Sequence, residues 1–447
     1  MRNSAFTSIV GLAVPMSLQA LLSALVLVID IFFVAMLGED AVNAVGLIAG
    51  LTAMMGIVVN GAGIAATTLV ANAWAADRTT ERADALLQTI ASLVTLSVIL
   101  PVIGIAVYRP YMEFMAATAE LTMLGRGYAL CVILGFPAVV ALYMLNCVMR
   151  GAGKPEYALH ALIITCVLSI VLNPILIYGR GPLPAMGLAG AGMASVAGRA
   201  AGCLYLFWRL LRADRMTFPP VSLQRLMPAL RSMGRLVSLT TSGTAQTLVA
   251  IATSLFVLRF LAALDPAVLA GYVVGNRIVG LVALPITGVA TACCVLVGQN
   301  SAEGRRWFAI AGLWTAIAIG AALAILVAII LVALPGPMLA FFELSKDAQN
   351  EATTYLFYTA IFMLPFAIGG IANYAANGLG LMREVAFLQL AALVAVQIPA
   401  TFLLASAIGT DSVWIALGAC YLIWAAGGLW LVLRHLRYRQ RPETEAV

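Results

Sequence analysis

Apolar residues run along this chain in blocks rather than in alternation, and glycine, proline or a cluster of charges closes each block. The blocks hold about 20 to 33 residues, enough for a helix rising 1.5 Å per residue to cross a hydrocarbon core of about 30 Å. Twelve can be placed, at roughly 10–37, 42–73, 86–108, 121–148, 157–179, 186–211, 236–263, 267–299, 307–334, 349–376, 385–408 and 412–433. Nothing alternates over the ~10-residue stretches of a membrane β-barrel. The pattern predicts an all-α polytopic membrane protein with twelve transmembrane helices. The first block runs directly into the second with no small-x-small cleavage site after it, so it reads as a span rather than a leader.

Composition removes the soluble alternative. Of 447 residues, 63% are hydrophobic and 10% charged, less than half the charge of an ordinary soluble domain. Arg78, Arg82, Arg150, Lys154, Arg212, Arg215, Arg225, Arg231, Arg305, Arg306 and Arg383 fall in even-numbered connections. Arg434, Arg437, Arg439 and Arg441 follow the last span, while odd-numbered connections carry only Arg109, Arg126, Arg180 and Lys346. Cytoplasmic loops retain Lys and Arg, so both termini are expected in the cytoplasm of a bacterial-type inner membrane. The net charge of +6 then reports topology and implies no nucleic-acid partner. All seven cysteines lie inside spans as small apolar residues, without a disulfide or CxxC pattern. His160 has a single carboxylate, Glu156, at helical spacing and His435 has none, short of the ligand set a metal needs, so no metal and no cofactor is assigned.

The chain repeats itself. NGAGIAATTLVAN at 60–72 parallels TGVATACCVLVGQ at 287–299, with Gly61 against Gly288 (288 − 61 = 227). RGAGKPEYAL parallels NGLGLMREVAF with Gly151 against Gly378 (378 − 151 = 227), and Ala41 matches Ala267 at 226. Three ordered matches at one spacing predict a duplication of six spans. Six is even, so the copies share one orientation, the parallel-repeat arrangement of secondary transporters. The expected organisation is an N-lobe over 1–211, a cytoplasmic linker over 212–233 marked by Pro219–Pro220 and arginines, a C-lobe over 234–434 and a basic tail over 435–447.

The segments PMSLQALLSALVLVIDIFFVAMLGEDAVNAVG, MRGAGKP, LNPILIYG followed by GLAGAGMAS, and PITGVATACCVLVGQN together resemble the MATE (multidrug and toxic compound extrusion) family, in order and over nearly the whole chain. The resemblance implies two six-helix lobes in a V, working by alternating access to export organic compounds in exchange for protons or sodium.

Asp30 stands alone among the apolar residues of ALVLVIDIFFVAM, seven residues from the outer end of span 1, or about 10 Å deep. An acid at that depth costs several kcal/mol unless paired, wet or protonated, and is a functional candidate by default. Gln19 and Ser23 share its helical face, at spacings of 4 and 11. Ser169 and Asn173 form a second polar stripe on span 5, and Ser195 follows on span 6. In the family this quarter of the first lobe encloses the coupling cation, with an acid or asparagine where Asn173 stands. The ion-coupling set is therefore Asp30, Asn173, Ser195, Ser169 and Gln19, with protons favoured over sodium. The counterpart of Asp30 in the second lobe is Phe256 or Val257, and spans 7–12 contain no acid apart from Glu351 at the very end of span 10. Coupling is expected in the first lobe alone, as in the DinF-like branch.

Asn60, Tyr143, Asn146, Gln246, Asn276, Asn373 and Asn377 are candidate lining for the cargo route, with Met144, Met149 and Phe256 as adaptable apolar contacts. Arg259 and Arg277 are expected to pair internally or to snorkel. The glycine-rich stretches are helix-packing sequences, since no GxxxxGK[ST] pattern accompanies them. Transport is thus expected to be secondary, carried out by a monomer that holds both lobes, with small organic cations or drugs, H+ or Na+, and membrane lipid as partners. Two alternatives remain. A lipid-linked oligosaccharide flippase would need a strongly basic cavity, and a membrane prenyl transferase would need clustered acids for a metal-bound diphosphate; neither feature is evident.

Overall fold

The computed structural model describes residues 2–75, 79–115, 117–179, 184–212, 233–342 and 344–438. The linker's Pro219, Pro220, Arg215, Arg225 and Arg231, together with Arg78, Arg180, Arg439 and Arg441, lie outside them. Among the described residues every regular element is helical. The first half comprises α1 (Arg2–Ala35), α2 (Glu39–Ala75), α3 (Thr79–Phe114), α4 (Ala119–Leu134), α5 (Phe136–Gly151), α6 (Pro155–Tyr178) and α7 (Gly187–Arg212). The second comprises α8 (Met233–Ala262), α9 (Pro266–Val282), α10 (Leu284–Ala302), α11 (Arg306–Ala333), the short α12 (Pro335–Leu339), α13 (Lys346–Gly378), α14 (Met382–Ala391), α15 (Ile398–Ile408) and α16 (Asp411–Tyr438).

Every predicted span has a helical counterpart, but two of them are broken. Span 4 divides into α4 and α5, bent by 42° at Gly135. Pro137 follows, where a missing N–H is harmless at the start of the second helix. Span 8 divides into α9 and α10 at Ala283, again with a proline, Pro285, just inside the second piece. Span 11 passes from α14 to α15 through a π-helical turn, Ala392–Gln397, ahead of Pro399. Among the described residues ten helices are long and apolar enough to cross a membrane, or eleven with the bent pair counted as one span. The glycine-rich α7, which carries Arg199, Arg209 and Arg212, and the 17-residue α9 are not among them.

By contacts the chain forms two compact units, Leu21–Thr244 and Met1–Ala20 with Ala245–Val447. These differ from the sequence lobes at two helix ends: the start of α1 packs with the second half, and the start of α8 with the first. The exchange is symmetric. A Cβ on Gly61 of α2 would run into the backbone of Thr244 of α8, and one on Gly288 of α10 would run into Ser17 of α1. The partners are separated by the repeat offset, as are the glycines (244 − 17 = 227; 288 − 61 = 227). Ser17 also donates to the carbonyl of Pro285 at 3.2 Å.

The GAGK and GLGL motifs have a common explanation. Gly153 and Gly380 both take positive φ, 73° and 82°, and close α5 and α13. Lys154 N bonds Met149 O at 2.8 Å, and Leu381 N bonds Ala376 O at 3.0 Å. Each is the six-residue bond of a Schellman turn, which needs a left-handed residue that glycine supplies without steric cost.

The first unit has several small apolar clusters, among them Met55, Val59, Phe136, Val140 and Met144 between α2, α3 and α5. The second has a large one, in which Val257, Leu261, Tyr272, Tyr355, Met363 and Trp414 interdigitate.

Candidate functional site

Asp30 lies in the first unit, on α1, and three side chains from α6 and α7 converge on it. Asn173 donates its amide N–H to Asp30 Oδ1 at 3.3 Å. Ser195 donates its hydroxyl to Oδ2 at 2.5 Å. The Arg199 guanidinium stands 3.8 Å from Oδ2, and its other terminal nitrogen donates to the carbonyl of Ser195 at 3.0 Å. Asp30 is therefore paired, not solitary. The ion pair is largely enclosed, the Asp30 and Arg199 side chains being 14% and 26% exposed.

Small residues on α7 make this convergence possible. A Cβ on Gly202 would strike the carbonyl of Ala161 and the hydroxyl of Thr165, and one on Gly190 the carbonyl of Leu176. With glycine at those positions α7 lies against the backbone of α6. Ser195 and Arg199, one turn apart, then face the same carboxylate as Asn173. Charges 4 Å apart attract by about 4 kcal/mol at an effective dielectric constant of 20. Desolvation of the two ions costs a comparable amount. Pairing thus makes the buried charge tolerable and adds little net stability.

The other predicted coupling residues stand apart from the carboxylate. Ser169 is fully buried one turn before Asn173, and its Oγ has no hydrogen-bond partner; the same holds for Asn173 Oδ1. Gln19 is buried, but eleven residues separate it from Asp30, about 16 Å along the helix. Ser23, between them, is exposed.

The asparagine and glutamine cargo candidates separate into three pairs. Asn60 and Asn276 are exposed and each accepts from a tyrosine hydroxyl: Tyr143 at 2.8 Å and Tyr355 at 3.3 Å. Gln246 and Asn377 are buried and satisfy each other through reciprocal amide bonds of 3.1 Å, with a further bond from Gln246 to Met382 O at 2.9 Å. Asn146 and Asn373 are buried with unpartnered side-chain atoms, Asn373 lying against Gly428. Met144 and Met149 are fully buried in the core of the first unit and present no surface to a cargo in this conformation. Phe256 packs within an aromatic group with Phe260 and Phe402. Arg259 and Arg277 are both exposed.

Sequence reasoning missed Arg199. The signal was present: it follows Ser195 by four residues within a run of small and apolar residues, 186–204, and a cation inside a span calls for an anion.

Comparison with known proteins bears on the family and the fold. The MatE family profile matches residues 15–175 and 242–428, two segments that begin one repeat offset apart (242 − 15 = 227). A probable multidrug resistance protein NorM of Deinococcus radiodurans is 29% identical over 316 residues, covering 69% of this chain and 68% of that protein. A probable multidrug resistance protein YoeA of Bacillus subtilis is 23% identical over 399 residues, 87% of this chain and 84% of that one. The fold matches a crystal structure of MATE in the bent conformation with a TM-score of 0.87 at 21% identity, over 97% of this chain and 96% of that one. With two matched segments that together span most of its length, the chain belongs to the MATE family.

Proposed function

We propose that this protein is a secondary active exporter that extrudes organic compounds, lipophilic cations and drugs among them, in exchange for protons, with Asp30 as the coupling group. The observation that carries this reading is the convergence of Asn173, Ser195 and Arg199 on one carboxylate inside the first unit. A carboxylate that accepts two hydrogen bonds and faces a guanidinium is stable when ionised; protonation removes the ion pair and the charge assistance of both hydrogen bonds. Neutralisation removes its desolvation cost and lets α1 repack against α6 and α7. The relatives named as multidrug resistance proteins support the cargo class, and the chain carries no phosphate-loop sequence to bind ATP. The protein works as a monomer by alternating access in an inner membrane, with both termini cytoplasmic.

The test is transport by the purified protein in liposomes under an imposed pH gradient, read with an ethidium-like dye. Asp30→Asn keeps the shape of the protonated form and should insert normally, bind dye and lose at least about 100-fold in gradient-driven export, the scale of removing an essential proton-transfer group. Wild-type transport by this variant would place coupling elsewhere.

A further inference from the structure

We propose that Arg199 is a tethered counter-cation that holds, beside Asp30, the position a sodium ion would need, and so restricts the site to protons. The inference rests on the reading of Asp30 as the coupling group and adds the basis of its ion selectivity.

Every atom presented to the carboxylate carries hydrogen. Oδ1 receives the Asn173 amide N–H, and Oδ2 receives the Ser195 hydroxyl and faces the Arg199 guanidinium. Hard metal cations are held by oxygen lone pairs. The guanidinium has five donors, no acceptor and a permanent charge. A sodium ion at Asp30 would reach oxygen on Asn173 and Ser195 only after both side chains turned, and it would still lie beside the fixed charge of Arg199, which has no oxygen to offer. A proton needs no coordination shell and adds to a lone pair already in place.

The surroundings are arranged for that proton. Asn173 Oδ1 is buried and unpartnered, on the same amide that now donates to Asp30. Turning the amide over offers this oxygen to the O–H that protonation creates. The balance is simple: one proton enters, the carboxylate becomes neutral, and the net charge of the Asp30–Arg199 pair rises from zero to plus one. Tyr128 on α4 and Cys166 on α6 are titratable groups in electrostatic reach of Asp30, and neither supplies a replacement anion in its ordinary neutral form. Arg199 keeps its bond to the Ser195 carbonyl but loses its counter-ion, so protonation is felt at once on α7.

The experiment uses the full chain in liposomes, with dye export driven by a pH gradient or by a sodium gradient, and 22Na+ binding measured in parallel. Wild type should respond to the pH gradient alone and bind no sodium. Arg199→Gln should acquire sodium binding and at least a tenfold stimulation of export by a sodium gradient. Arg199→Lys, which restores a cation, should remain insensitive to sodium. If Arg199→Gln does not fold, Arg199→Met with the same binding assay replaces it. Sodium-driven export by wild type, or an Arg199→Gln protein still indifferent to sodium, overturns the proposal. In either case Asp30→Asn separates the two readings: if it is inactive the coupling assignment stands and only the role of Arg199 falls, and if it is fully active both fall.

Discussion

The two halves of the chain share a scaffold and differ in what it holds. Gly61 and Gly288 meet Thr244 and Ser17 at one offset, Gly151 and Gly378 meet the carbonyls of Thr67 and Cys294 at the same offset, and the Schellman turns at Gly153 and Gly380 coincide bond for bond. That register carries Asp30 onto Val257 (30 + 227 = 257), which is 1% exposed in the apolar core with Leu261, Tyr272 and Trp414. One unit therefore surrounds the position with an amide, a hydroxyl and a guanidinium, and the other closes it with aliphatic and aromatic side chains. The kinks differ as well: in the first half α2 is continuous and span 4 breaks, whereas in the second span 8 breaks and α13 runs on through Pro365. Backbone contacts between glycines survive divergence because any added carbon collides. Side chains facing a lobe interior are not fixed by such backbone collisions and differ between the units.

The sharpest way to break this comparison is to give the second unit its own acid. Val257→Asp places a carboxylate where the neighbours are apolar, and should cost ~3–5 kcal/mol, as for an uncompensated buried charge. It should appear as a large loss of folded yield and of the melting midpoint in detergent. A midpoint within about 2 °C of wild type would mean that the second unit can also solvate an ion.

A smaller effect sharpens the equivalence of the scaffolds. Gly61→Val and Gly288→Val drive side-chain carbons into the backbones of Thr244 and Ser17, and each should cost about 1–3 kcal/mol, the range for overpacking. The two thermal shifts should agree; a strong effect at only one site would show that one helix crossing has loosened. The smallest effect concerns the exposed asparagines. Tyr143→Phe and Tyr355→Phe each remove one hydroxyl bond, to Asn60 or Asn276, and should each lower stability by about 0.5–1.5 kcal/mol, measured by the same thermal assay.

Much of this was legible along the chain. The helices followed from block length, because in lipid a backbone must satisfy its own hydrogen bonds and only a helix of sufficient length does so. The repeat followed from glycine spacing, because close helix crossings fix small residues at fixed intervals. Asp30 followed from its isolation, since a charge in an apolar block is conspicuous without any knowledge of neighbours. Asn173 and Ser195 were drawn to it by helical spacing and family resemblance, and in the structure they touch it. Met144 and Met149 are fully buried in this conformation, which the sequence did not show because hydropathy gives the same value to a residue that faces a cleft and one that faces a core. Arg199 was missed because its partner lies 169 positions earlier in the chain (199 − 30 = 169).

What the sequence by itself determined is everything that depends on local composition: the span lengths, the six-span period, the closing glycines and the one acid of the interior. What only the tertiary structure decided is rotation and apposition: which face of each helix is turned inward, where spans 4 and 8 bend, and that a guanidinium on α7 stands beside the carboxylate on α1. The reason is physical. Partition into a membrane sums over a segment and can be read in one dimension, whereas an ion pair depends on a few ångströms between residues that only the packing of α1, α6 and α7 brings together.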